Sequence, residues 1–190
     1  MNLNDDEINE FNYHYSRATE MMKGIIILDE YRPGNLNFFE KRRARKSIKY
    51  FENALAIVPN NFASLFFLGK IYQRLKEYEK SLFYFEEGLE FEKENYSLPQ
   101  EASLVAMHLN LIDKAIEYSS EALNRNPDNY GLMGNHAMNL LIGGKDQEAT
   151  KIIENALKLA PKDVVNNNIQ KKILEVISGI INRPTFKQSI

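Results

Sequence analysis

Residues 62–95 read FASLFFLGKIYQRLKEYEKSLFYFEEGLEFEKEN, and this stretch decides the fold. Its second half sets Ser81, Phe85, Gly88 and Leu89 at spacings of 4, 3 and 1. On a helix of about 3.6 residues per turn that spacing makes one stripe. The small residues let a second helix approach, and the aromatic fills the space beside them. Steps of 34 residues reproduce the pattern along the chain. Small residues stand at Ser47, Ser81, Ala115 and Ala149, and again at Ala54, Gly88, Ala122 and Ala156. Leucine stands at Leu55, Leu89, Leu123 and Leu157. Phe51, Phe85, Ser119 and Ile153 lie between, preceded by Tyr50, Tyr84, Tyr118 and Ile152. Turn formers keep the same step at Pro59-Asn60-Asn61, Pro127-Asp128-Asn129 and Pro161-Lys162-Asp163, with the proline lost at Lys93-Glu94-Asn95. A single helix pair cannot bury such a stripe, so successive pairs must stack.

The unit resembles the tetratricopeptide repeat, a helix–turn–helix of about 34 residues. Stretch 62–95 carries Leu65-x2-Leu68-Gly69-x2-Tyr72, similar to the family's W-x2-L-G-x2-Y with leucine in place of tryptophan. Ser81-x3-Phe85 stands where the family has A-x3-F. Stretches 96–129 and 130–163 are similar in their second helices and looser in their first. The resemblance implies an all-α, right-handed α-solenoid of stacked antiparallel helix pairs, about nine helices in all. Helices are expected near 62–75, 78–93, 98–109, 112–125, 130–142 and 146–159. Ser97-Leu98-Pro99-Gln100 reads as a capping box with proline in the first turn, and Gly143-Gly144 as a helix stop.

The two ends depart from the pattern. In strict register the first copy begins at Leu28, and its first helix then meets Arg32-Pro33-Gly34-Asn35, which breaks it. Upstream, Ile8, Phe11, Tyr15, Ala18, Met22 and Ile25 recur at steps of 3 and 4. That helix is expected to serve as the first helix of copy one, with an insertion at about 26–41 before the second helix near Asn37 or Phe38. At the other end, 164–181 sets Val165, Ile169, Ile173, Val176, Ile177 and Ile180 on one stripe and Asn166, Asn167, Asn168, Lys171 and Lys172 opposite. A closing helix is expected there, with a frayed tail after Arg183-Pro184. The resulting organisation is 1–61, a displaced first pair with its insertion; 62–95, 96–129 and 130–163, three repeats; 164–182, a capping helix; and 183–190, a tail.

Composition narrows the chemistry. The 190 residues carry 24 Lys+Arg against 26 Asp+Glu, a net charge of −2, which gives no general pull towards nucleic acid or anionic lipid. No Cys excludes disulfides, thiolate metal sites and a cysteine nucleophile. The first ten residues hold four acids and no base, unlike a signal peptide, and the apolar run 25–28 is far too short to span a bilayer. A cytoplasmic protein without a membrane span is expected. His14, His108 and His136 share no metal-ligand spacing and read as groove or surface residues. Gly143-Gly144-Lys145 lacks the spacing of a phosphate loop, and Glu86, Glu87, Glu90, Glu92 and Glu94 read as a solvated helix face. No catalytic residue, metal or cofactor is expected; the chain reads as no enzyme.

What remains is a surface that binds. The resemblance implies that first helices line a concave groove for a peptide or helix of a protein partner. The matching positions are Phe66, Lys70 and Arg74; Gln100, Leu104 and His108, flanked by Met107; and Met138 and Ile142 with Gly134, flanked by Asn135. The family's best-known subset clamps a C-terminal carboxylate through Lys, Asn and Arg side chains, but Gln100, Leu104, Val165 and Ile169 occupy four of those positions here. A partner segment with an acidic end and apolar anchors suits the basic Lys70 and Arg74 and the apolar Met138 and Ile142. The leading expectation is therefore an adaptor or chaperone-like interaction module. Self-assembly through the terminal helices is the alternative, with a homo-oligomer as its result. Another is binding of an acidic partner or RNA at Lys41, Arg42, Arg43, Arg45, Lys46 and Lys49, although the near-neutral charge makes nucleic acid the lesser choice. Phe38 and Phe39 beside this patch are expected to pack under the insertion; exposure of the two would favour the patch.

Overall fold

The helix ends follow from side chains that the repeat brings back at fixed positions. In this computed structural model, residues 3–26 and 34–189 are described, and among them there are ten helices. Helices α3 (Phe62–Arg74), α7 (Tyr130–Ile142) and α9 (Val164–Ile177) open on Asn61, Asn129 and Asp163, whose side chains accept from the backbone N–H of Ser64, Leu132 and Asn166. These caps are the third residues of the three proline turns. Helix α5 (Ser97–His108) starts differently. Asn95 accepts from the Ser97 N–H at 2.7 Å, and Ser97 lies inside the first turn rather than capping it, so the expected capping box does not form.

Helix pairs close through backbone alone. Lys76, Asn110 and Gly144, 34 residues apart, all take positive φ, at 62°, 59° and 80°. Behind each, an N–H reaches back five residues: Glu77 to the carbonyl of Tyr72, Leu111 to Ala106 and Lys145 to Leu140, at 2.9–3.0 Å. This is the Schellman closure, which satisfies carbonyls a helix end leaves open. Glycine fits such a position without strain, whereas lysine does not. Lys76→Gly is accordingly expected to stabilise the protein by up to about 1 kcal/mol, read as a raised urea midpoint; no rise would mean that the turn is already relaxed.

The chain divides into two compact units, Met1–Lys93 and Glu94–Ile190. The first holds α1 (Asp5–Met22), α2 (Phe38–Ile57), α3 and α4 (Tyr78–Phe91). Helices α1 and α2 form an antiparallel pair, since Ser47 Oγ donates to the Ala18 carbonyl, Arg43 Nη2 to that of Lys23, and Tyr15 meets Phe51 edge to face. The upstream helix thus partners α2 as the stripe from Ile8 predicts, although it stops at Met22 rather than Ile25. Of the expected insertion at about 26–41, residues 27–33 lie outside the described residues, and 38–41 already form the first turn of α2. Between α3 and α4 the approach is close enough that a Cβ on Gly69 would meet the Phe85 ring at 2.4 Å, and Ser81 Oγ donates to the Gly69 carbonyl at 2.7 Å.

The second unit stacks α5, α6 (Ile112–Arg125), α7, α8 (Asp146–Leu159) and α9, followed by the short α10 (Phe186–Ser189). Ala115, Ala149, Ala122 and Ala156 are all buried at the small-residue positions. Where the other copies carry Phe51, Phe85 or Ile153, Ser119 instead faces the buried His136, with Oγ and Nδ1 2.8 Å apart. Burial lowers the His136 pKa, favouring the neutral ring. His136 is therefore a core residue, not the groove or surface residue its sequence setting suggests. Helix α9 buries Asn166, Ile169 and Ile173, while Val165, Ile177 and Ile180 are exposed. Its packed stripe is rotated from the expected one because Asn166 Nδ2 donates to the Tyr130 carbonyl at 3.1 Å, turning a polar side chain inward.

Candidate protein-binding surfaces

In the second unit the faces of α5 and α7 carry most of the expected groove residues. Leu104 and Asn135 are exposed, and Gln100, His108, Met138 and Ile142 are half-buried. Met107 is buried with Ala106 and Ala115 and belongs to the core, so it presents no surface, contrary to its expected place beside the groove. At one end of this face lies a depression of about 330 Å³. Gln100, Gly134, Asn135, Val165, Asn166 and Ile169 line it. Gly134 is there by necessity, since a Cβ on it would lie 2.1 Å from Asn166 Oδ1.

The other end of the face is occupied by the chain itself. Arg183 bonds Asp146 through both terminal nitrogens, at 2.6 and 3.0 Å, and also reaches the Leu141 carbonyl. Charge-assisted, bidentate contact of this kind is directional as well as strong. It holds the Asp146 carboxyl below its ordinary pKa. Pro184 is buried, and the Phe186 ring stands edge-on to His108 at 4.7 Å and packs, like Ile112, Tyr118 and Ile142, against the core of Ala106, Met107 and Ala115. The segment after Arg183-Pro184 is thus seated rather than frayed. Its anchors were legible as residue types, but not their partners, which lie 37 and 78 positions away.

In the first unit Phe66 is half-buried among Phe62, Phe67 and Phe85, and Lys70 is half-buried on the same face of α3. Arg74 donates to the Gly34 carbonyl at 3.3 Å. The basic patch on α2 divides. Arg43 is bonded to the Lys23 carbonyl and Arg45 is paired with Glu77, whereas Lys41, Arg42, Lys46 and Lys49 have no ion-pair partner among the described residues. Phe38 and Phe39, expected under the insertion, are each 73% exposed. The acidic start of α1 does not offset the patch, because in the antiparallel pair it lies at the far end of α2.

Comparison with known proteins now bears on these surfaces. The family described as Tetratricopeptide repeat matches residues 62–95. Every structural neighbour compared below carries the same helix-pair architecture. Residues 62–95 are thus a tetratricopeptide repeat, and the chain has the fold of such repeat proteins. The crystal structure of YrrB, described as a TPR protein with an unusual peptide-binding site, is similar with a TM-score of 0.70 and 14% identity, over 97% of this chain and 84% of that one. The first TPR of Spaghetti (RPAP3), bound to the HSP90 peptide SRMEEVD, gives a TM-score of 0.57 at 20% identity, over 62% of this chain and 93% of that one. MamA gives 0.68 at 10% identity, over 90% and 89%. At these identities the likeness shows the fold. Among curated proteins none matches in sequence. Among the described residues no helix of this repeat protein is long and apolar enough to cross a membrane.

Proposed function

We propose that this protein is an adaptor or chaperone-like interaction module that holds a peptide or helix of a protein partner on the faces of its first helices. The organisation we propose for it is a displaced first pair, three repeats and a closing helix. The observation that carries the function is the seating of 183–186 on the second unit. A face that takes an arginine, a buried proline and an aromatic from its own chain has the chemistry to take them from another. Gln100, Leu104, Asn135 and Met138 extend that face towards the depression beside Gly134. In the first unit Phe66, Lys70 and Arg74 are the corresponding residues of α3. Rigid helices need little ordering on binding, which favours affinity for an extended segment. RPAP3 holds a peptide with two glutamates and an aspartate. Here Gln100, Leu104, Val165 and Ile169 replace the residues expected of a carboxylate clamp, and Asp146 is an acid, so a basic and aromatic segment suits this end of the face.

A labelled peptide of residues 182–189 tests the reading on the full chain. Arg183→Ala with Phe186→Ala empties the seat, and this variant is expected to bind the peptide at least about tenfold more tightly than the parent, whose tethered segment competes at high effective concentration. Equal binding by both proteins, or none by the variant, would sink the assigned face.

A further inference from the structure

Two outward stripes of the first unit are complementary to one another yet too far apart to meet within one copy. On α2, Phe38, Phe39, Arg42, Lys46 and Lys49 share the side opposite the buried Ala44, Ser47, Ile48 and Phe51. On α4, Phe83, Glu87, Glu90 and Phe91 share the side opposite the buried Ser81, Leu82, Phe85 and Gly88. Each stripe thus exposes two phenylalanines with unpaired charges of a single sign, Lys80 on the same side of α4 being paired with Glu77. Phe83 and Phe91 are 53% and 56% exposed. Glu87 and Glu90, like Arg42, Lys46 and Lys49, have no ion-pair partner among the described residues. Exposed aromatics gathered with unpaired charge are the composition of a contact surface rather than of a solvated face.

Their placement suggests how they pair. Arg45 is paired with Glu77, and Glu52 takes the hydroxyls of Tyr72 and Tyr84, at 3.4 Å each. Helices α2 and α4 therefore run in the same direction, with position 52 level with position 84. Arg42 then lies 13 and 16 residues along the axis from the level of Glu87 and Glu90, and Lys46 lies 9 and 12, roughly 13–24 Å at about 1.5 Å per residue. No ion pair spans that distance. A two-fold axis lying between two such faces, in their common plane and perpendicular to the line from the Arg42–Lys46 end to the Glu87–Glu90 end, sets the basic end of each copy against the acidic end of the other. Such an isologous contact uses both stripes twice and leaves neither open.

We infer that the outer face of the first unit is a dimerisation surface, whose occupant is a second copy of this chain. Charge complementarity chooses that occupant. An anionic membrane or an RNA would satisfy the α2 stripe but be repelled by Glu87 and Glu90 on the same face, whereas a second copy satisfies both. The inference concerns the first unit only and stands independently of the peptide face on the second.

Charge exchange between copies provides the test. Sedimentation of the full chain at several concentrations is expected to show a monomer–dimer equilibrium that weakens between about 0.1 M and about 1 M salt, as the screening length falls from about 10 Å to about 3 Å. Arg42→Glu with Lys46→Glu should weaken the dimer about a hundredfold, and Glu87→Lys with Glu90→Lys should do the same. Mixing the two variants should restore a dimer, because each contact then joins opposite charges again. All four positions are exposed, and an unchanged circular dichroism melt confirms folding. A parent that stays monomeric, variants that each still dimerise, or a mixture that stays monomeric would overturn the inference. So would a monomeric parent that instead co-sediments with phosphatidylserine vesicles or binds an oligouridine.

Discussion

Replacing Phe85 by alanine is expected to remove about 3–5 kcal/mol of stability, the range for truncating a fully buried phenylalanine. Its ring is completely buried and lies flat against Gly69, where no other residue leaves room for it. Phe66 packs against it as well, with ring centroids 6.1 Å apart. The cavity left behind cannot collapse easily, since Ser81 pins the two helices together through the Gly69 carbonyl at 2.7 Å. Such a loss is a large part of the total for a domain of this size. Urea unfolding followed by far-ultraviolet circular dichroism reads it directly. Phe85→Leu keeps most of the volume and should lose well under half as much. A Phe85→Ala protein with an unshifted midpoint would mean that the α3–α4 seam contributes little.

Gly134→Ala should cost about 2 kcal/mol, although alanine is ordinarily the better helix former by about 1 kcal/mol. The new methyl falls on Asn166 Oδ1, in a side chain only 1% exposed. Asn166 must then leave its place and forfeit its bond to the Tyr130 carbonyl, which strands a buried amide. Sign reversal gives the check. In an Asn166→Ala background the clash is gone, and Gly134→Ala should stabilise by roughly 0.5–1 kcal/mol. Equal costs in both backgrounds would place the effect elsewhere. Because Gly134 also lines the depression, the alanine variant reports on binding in the same series.

Most of the fold was legible because its determinants are local. The observed α6, α7 and α8 span 112–125, 130–142 and 146–159, the ranges expected from the proline turns and the 34-residue step. Each boundary there depends on residues within four or five positions of itself. Failures arose where the deciding partner sits on another helix. Ser119 broke the aromatic line visibly, yet nothing local pointed to His136 as the group that satisfies it. Asn166 looked like a solvent-facing amide because its acceptor, Tyr130, lies 36 residues upstream. Arg183, Pro184 and Phe186 carried no periodic signal at all, so their docking was invisible. For the groove the residue types were right at Leu104 and Asn135, but at Met107 the helix face was misjudged by a fraction of a turn. Phe38 and Phe39 failed for another reason: burial is the better guess for two adjacent phenylalanines, and the exception marks a surface.

The closures at Lys76, Asn110 and Gly144 also make the array a ruler that resists editing. Only three residues separate the helices of each such pair: 75–77, 109–111 and 143–145. One residue added there would break the five-residue reach and turn the next helix by about 100°, moving its whole buried stripe into water. Growth or loss is tolerated only in whole copies or where no closure binds the helices. Between α1 and α2 fifteen residues intervene, and the N–H groups of Ile25 and Ile26 both return to the nearby Met22 carbonyl instead. Length variation among relatives of this chain should therefore collect at that junction, leaving the other three turns constant in length.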